Sequence, residues 1–320
     1  MTPAERNDAA VGRTSVPMAF ARRMHRYLQE MYPTALYLPL AILLYLDLSW
    51  LAWRSVSRVP MSRNGLSLIG IASVYLIGLT ARMMDELKDA DIDRRLFPQR
   101  PLPSGRVRAS DLELGIALAI GVYLAINLGV GPIHWVAGLI LGYAFLTYRH
   151  FFLRRHLERS ILLTLLTHAP LLGLTLAYAA AMGPVEAAGP GAQVSITGLL
   201  LPVSMCWTMI EGVEIARKLR APEHESAYVT YSKEWGMSRA VLVAAGLQAW
   251  TVVAGGYLAW RLSLGALPPA ALVIGYACVV WGYVNCLRQP AAWSRRVKRG
   301  AELYVALVLL AFAISQAWSS

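Results

Sequence analysis

An all-α fold, a polytopic bundle of nine transmembrane helices with the N-terminus inside and the C-terminus outside, follows from three observations. First, apolar residues make up 57% of the 320-residue chain and charged residues 15%, against roughly 25% charged in a soluble domain. Disorder, collagen and a disulfide scaffold are excluded by the same balance. Second, nine apolar runs, each near the ~20 residues of a bilayer crossing, lie at 35–53, 65–84, 111–130, 132–149, 160–182, 194–215, 239–260, 266–286 and 301–318. Third, Lys and Arg alternate between the two sides of such a bundle. The runs are read as helices because lipid cannot satisfy an open backbone, and the alternation of a barrel strand is absent.

Residues 1–34 are polar and basic, with Arg6, Arg13, Arg22, Arg23 and Arg26 but no apolar core of a cleaved signal. They are expected to be a loose, partly helical cytoplasmic tail ahead of a single domain, 35–318. The even-numbered spans are followed by basic loops. Of the 30 Lys and Arg residues, all but Arg54, Arg58, Arg63 and Arg261 fall on the N-terminal side. That side is therefore cytoplasmic, and adding or removing one central span breaks the alternation. The net charge of +11 thus reports topology, and no nucleic-acid partner is expected. Trp50, Trp53, Trp135, Trp260 and Trp318 fall near the outer ends, as an aromatic belt would. Residues 183–193, GPVEAAGPGAQ, read as a plain connector. Cys206, Cys278 and Cys286 have no motif spacing, which argues against disulfides and zinc.

The second run ends in Asp85-Glu86-Leu87-Lys88-Asp89-Ala90-Asp91-Ile92-Asp93. On a helix, Asp85, Asp89 and Asp93 advance by four and share a face. Neighbours at this spacing lie about 5–6 Å apart. At an effective dielectric of about 20, each adjacent carboxylate pair repels by roughly 3 kcal/mol. Either nearby Lys and Arg or a divalent cation must neutralise that repulsion. Hard oxygen ligands suit Mg²⁺, which completes its shell with waters and substrate phosphates. A solvated helix end is the plainer alternative. Residues 97–106, FPQRPLPSGR, form a proline-stiffened loop that fixes Arg100 and Arg106, groups suited to phosphate. Ser110 and Glu113 have capping-box spacing for the next helix.

The sixth run ends in a second charged cluster. Glu211, Glu214 and Lys218 fall at i, i+3 and i+7 and share a face. A charge well inside a bilayer costs at least about 2.5–3.5 kcal/mol, so acids near the end of an apolar helix are site candidates. Glu223 and Glu225 follow in APEHES. The plainer alternative is a Glu214–Lys218 helix pair with solvated loop acids. Asp47 in the first span reads as a structural hydrogen-bonding group. His168 in the fifth, just before Pro170, reads as a satisfied core residue or as a polar contact to an acceptor hydroxyl.

Residues 85–107, DELKDADIDRRLFPQRPLPSGRV, resemble the first signature of the UbiA superfamily of intramembrane prenyltransferases. That signature is an Asn-Asp-x-x-Asp-x-x-x-Asp helix followed by an Arg-Pro-x-x-Ser-Gly-Arg loop. Asp89 and Asp93 take its last two aspartates, Asp85 replaces the asparagine, and Glu86 replaces the first aspartate. The loop fits from Arg100 to Arg106. The second signature, Tyr-x-x-x-Lys-x-x-x-Asp, fits poorly. Lys218 takes the lysine and Glu214 the tyrosine, but Pro222 stands where the next acid belongs, with Glu223 and Glu225 displaced from it. Thr230 to Gly236 resembles that segment's end.

The resemblance implies Mg²⁺-dependent transfer of a prenyl group from an isoprenyl diphosphate to an aromatic or lipid acceptor. Asp85, Asp89, Asp93, Glu214 and Lys218 would be catalytic. Metal ligands would come from Asp85, Glu86, Asp89 and Asp93, and from Glu214, Glu223 and Glu225. Substrate contacts would come from Arg100, Arg106, Tyr148, Arg149, His168 and Glu211. The expected partners are the diphosphate, a hydrophobic acceptor and membrane lipid, with no obligate protein partner. The expected location is the cell (inner) membrane, with the site facing the cytoplasm. Three alternatives stay open. A membrane terpene cyclase would share the ionisation step. A transporter should carry its acids near the midplane. A scaffold would use only its basic face.

Overall fold

In the computed structural model, the described residues are 16–157, 159–189, 191–226 and 228–319. Their regular structure is entirely helical: thirteen α-helices and three short 3-10 turns. In chain order the helices are α1 (Val16–Met31), α2 (Thr34–Val56), α3 (Gly65–Lys88), α4 (Ala90–Leu96), α5 (Ala109–Asn127), α6 (His134–Tyr148) and α7 (Arg154–Leu157). There follow α8 (Ile161–Ala188), α9 (Ile196–Ala216), α10 (Tyr231–Trp235), α11 (Met237–Arg261), α12 (Leu267–Arg288) and α13 (Pro290–Ser319).

Each of the nine apolar runs falls on one of these helices. Eight of them, α2, α3, α5, α8, α9, α11, α12 and α13, are long and apolar enough to cross a membrane. The ninth, α6, has 15 residues and spans only about 22 Å, short of the ~30 Å hydrocarbon layer. The 3-10 turn Gly131–Ile133 leads into it. Asn64 Oδ1 caps α3 by accepting from Leu66 N at 2.8 Å, and Ser160 Oγ caps α8 from Leu163 N at 3.2 Å. The expected Ser110–Glu113 box is not the cap of α5. Asp111 performs that task, accepting from Arg108 N at 2.9 Å. Pro290 starts α13 eleven residues before the apolar run, so Arg295, Arg296, Lys298 and Arg299 lie on its first turns.

At the centre of the bundle, α2 contacts α3, α8, α9 and α13, while α9 packs on α11, α12 on α13, and α3 on α5. Leu48 and Leu51 of α2, Leu176 and Ala180 of α8, and Met205 and Met209 of α9 are fully enclosed in this core. Asp47 has the structural role expected of it: it is buried and accepts from Gln316 Nε2 on α13 at 2.5 Å. Residues 183–188 are not a connector. They are the last turns of α8, with Pro184 inside the helix and Glu186 buried. Glu186 accepts from Tyr45 Oη at 2.9 Å, from Asn64 N at 2.9 Å, from Ser67 Oγ and from Arg63 at 3.3 Å. One carboxylate thus ties α8 to α2 and α3 at the end opposite the basic loops. Trp50 is buried there rather than in an aromatic belt, whereas Trp135, Trp260 and Trp318 are exposed.

The segment expected as a loose tail is, from Val16, a docked helix. Phe20, Met24, Tyr27 and Met31 recur at helical spacing on one face. Tyr27 is buried with Met83, Val107, Leu112 and Ala119. Two hydrogen bonds from Arg23 to Asp111, at 2.6 and 2.7 Å, and an Arg106–Glu30 ion pair fasten α1 to α5 and to the 97–108 loop. Arg6 and Arg13 lie outside the described residues.

Candidate active site

The acidic stripe lies where α3 passes into α4. The helix breaks at Asp89 (φ −97°, ψ 9°). Asp89 N still donates to Asp85 O, and Asp93 N to Asp89 O, both at 2.9 Å. The four-residue register therefore survives the break, and the three aspartates remain in sequence along one side.

Their repulsion is relieved unequally. Asp85 pairs with Lys88 Nζ at 2.7 Å, and Asp93 pairs with Arg100 Nη1 at 2.6 Å. Glu86 pairs with Arg82, and Arg100 stands 3.9 Å away, but Glu86 Oε2 is buried without a hydrogen-bond partner among the described residues. The Asp89 carboxylate has neither hydrogen bond nor ion pair among the described residues. Burial raises Asp89 to about 6; Lys88 and Lys218 oppose this, while Asp85 and Asp93 reinforce it.

The loop after α4 supplies the roof. Pro101 and Pro103 stiffen it, and Gly105 takes the positive φ of 75° that its turn requires. Arg100 reaches inward from it over the Phe97 ring, 4.1 Å from the centroid. Arg106 does not reach the aspartates. Besides Glu30, it binds Gln99 O at 2.6 Å and Ser104 Oγ at 3.0 Å, so its donors hold the loop itself.

The second cluster faces the first. Glu214 on α9 pairs with Arg217 and with Lys218 Nζ at 3.0 Å, and Glu211 is buried one turn deeper. Lys218 Nζ lies 5.6 Å from the centre of the Tyr231 ring on α10. The two charged segments touch through Phe97 and Tyr228, whose rings stand 6.2 Å apart edge-on. The structure does not bring Glu214, Glu223 and Glu225 together. Glu223 is exposed on the turn Pro222–His224, and Glu225 is tied to local hydroxyls, accepting from Thr230 at 2.8 Å and Ser232 at 2.7 Å.

Tyr148 and Arg149 also stand apart from the aspartates. Tyr148 lines a cavity of about 350 Å³ with Leu87, Ala90, Arg94 and Leu102. Leu87, Ala90 and Arg94 occupy another side of α3–α4 from the acidic stripe. Arg149 is exposed, stacked 5.7 Å from the Phe152 ring. His168 does join the site: its Nε2 lies 3.3 Å from Lys88 Nζ. Lys88, not among the site residues expected from the sequence, thus joins the candidate site. Its i+3 spacing from Asp85 was the available signal.

Among the described residues, no three His, Cys, Asp or Glu side chains are grouped closely enough to hold a metal ion. Mg²⁺ is commonly held by only one or two carboxylates, with phosphates and waters supplying the rest. The oxygen donors of this face, the orphaned Glu86 Oε2 and the unpaired Asp89 fit that chemistry.

Fold and site define a polytopic helical membrane protein with a charged, carboxylate-lined mouth at one end of an apolar bundle. Among solved structures, a digeranylgeranylglyceryl phosphate synthase of membranes is similar to it, with a TM-score of 0.62 and 16% identity over 92% of this chain and 99% of that one. An apo UbiA homolog from Aeropyrum pernix K1 is also similar, with a TM-score of 0.60 and 19% identity over 86% and 96%. No protein-family model and no curated protein matches the sequence. The chain is an integral membrane protein with the fold of these UbiA-type proteins.

Proposed function

We propose that the protein transfers a prenyl group from an isoprenyl diphosphate to a hydrophobic acceptor within the membrane, with Mg²⁺ as cofactor. The observation that carries this reading is Asp89. Among the described residues its carboxylate is unpaired, between the like charges of Asp85 and Asp93 and the cations Lys88 and Lys218.

Asp89 and Asp93, with Asp85 and Glu86 beside them, would hold the metal. When bound, Mg²⁺ neutralises charge on the departing diphosphate. Lys218, just past the end of α9, and Arg100 in the loop would add fixed positive charge where negative charge develops as the C–O bond breaks. The apolar bundle behind them excludes water from the allylic cation, which would otherwise be hydrolysed. The acceptor then bonds to the allylic carbon and gives up a proton to the departing diphosphate or to solvent, and no protein nucleophile is required. We take the short helix α6 as a ninth crossing and, from the distribution of basic residues, read the site as facing the cytoplasm from the cell membrane.

The test uses detergent-solubilised protein, Mg²⁺ and isoprenyl diphosphates of several lengths, with and without aromatic and lipid acceptors, and mass spectrometry of the products. Asp89→Ala and Asp93→Ala are each expected to lower diphosphate release by about a hundredfold or more with the fold intact. Near-wild-type turnover in either variant refutes the reading. A hydrocarbon product formed without acceptor selects a cyclase instead.

A further inference from the structure

We propose that Lys88 is a ligand of the diphosphate and that His168 positions it; this rests on the prenyl-diphosphate reading above. A lysine at a helix end ordinarily extends its stem and places its ammonium in water. Lys88 does the reverse: its side chain is only 8% exposed. It points between α3 and α8, where Asp85 Oδ1 takes one N–H at 2.7 Å and His168 Nε2 faces another at 3.3 Å.

The tautomer of His168 follows from its other nitrogen. Nδ1 lies 2.9 Å from the Thr164 carbonyl, which can only accept. Nδ1 therefore carries the hydrogen, and Nε2 presents its lone pair to the ammonium. His168 is thus a neutral acceptor that aims Lys88. An edge-on contact with Phe151, 6.5 Å between centroids, limits how the ring can turn. Phe151 itself sits in left-handed backbone (φ 51°) between His150 (φ 49°) and Phe152 (φ 58°). Three such non-glycine residues in succession are costly and persist only when their surroundings hold them.

An ammonium has three donors. Two of those on Lys88 are assigned, and the third has no partner among the described residues. Asp85, its counter-charge, is 49% exposed and so open to solvent. Across the mouth, just past the end of α9, Lys218 and Arg217 share the single Glu214 carboxylate, so neither cation has a carboxylate to itself. Lys88 and Lys218 both act on Asp89. Two compact cations flanking a carboxylate stripe form a site for a metal-bound polyanion, with the lysines taking the phosphate oxygens that the metal leaves free.

The probe is inorganic diphosphate with Mg²⁺, titrated calorimetrically into the full-length protein in detergent. Lys88→Met is expected to weaken binding at least about tenfold, the scale of one lost charged hydrogen bond. His168→Ala is expected to weaken it several-fold, and His168→Gln, which keeps an acceptor facing Lys88, to recover most of the loss. Recovery by glutamine is what a mere counter-charge would not show. Should Lys88→Met fail to fold, the His168 pair decides. If wild type binds and both Lys88→Met and His168→Ala bind equally well, Lys88 only balances the acidic stripe and the inference is overturned. If wild type itself shows no saturable binding of diphosphate, the prenyl-diphosphate reading falls first.

Discussion

Asp89, which carries the proposed chemistry of the mouth, also governs its pH response. Its ordinary value near 3.8 is raised to about 6, by burial first and then by Asp85 and Asp93, with Lys88 and Lys218 opposing. The folded state therefore holds the proton more tightly than the unfolded chain. The stability this contributes is complete below about pH 4 and is lost as pH rises through 6. At neutral pH the ionised, unpaired Asp89 weakens the metal-free fold, a cost consistent with a group kept for binding. Asp89→Asn is expected to stabilise the metal-free protein at pH 7.5 by about 1–3 kcal/mol. The gain should shrink toward pH 5. Melting curves at the two pH values check this, and a variant less stable than wild type at pH 7.5 would contradict it.

Between α2 and α8 the close approach rests on Gly183. A Cβ built there would stand 2.0 Å from Ser49 O, and the obstruction is backbone that cannot rotate aside. Small residues allow this kind of helix contact within membranes. Gly183→Val should force the helices apart, at or above the ~1–3 kcal/mol usual for overpacking. A lowered melting temperature, with the Glu186 network loosened alongside, is the expected result; a wild-type melting temperature would show that the approach is not needed. Such a contact cannot be read from the segment alone. Gly183, Pro184 and Glu186 resemble a loop in composition, and only the packing against Ser49, Tyr45 and Ser67 explains their helix.

For the molecule as a whole, the alternation of basic loops predicts an odd number of crossings. Tags on the N- and C-termini should therefore lie on opposite sides of the membrane. Protease protection in oriented vesicles measures this, and protection of both tags from the same side would remove α6 from the count of crossings. The helices were legible because transfer into lipid sums residue by residue over some twenty positions, so each run declares itself without its neighbours. The stripe from Asp85 to Asp93 and the Arg100 loop were legible because their spacing is local. The partners of these groups were not. Arg106 turns to Glu30, seventy-six residues away, Lys88 turns inward to His168, eighty residues away, and Glu225 is absorbed by Thr230 and Ser232. Composition and helical period act along the chain, so they specify which segments cross and which faces carry charge. Which ion pair forms depends on angstrom-level distances between segments remote in sequence, and those distances exist only once the helices have packed.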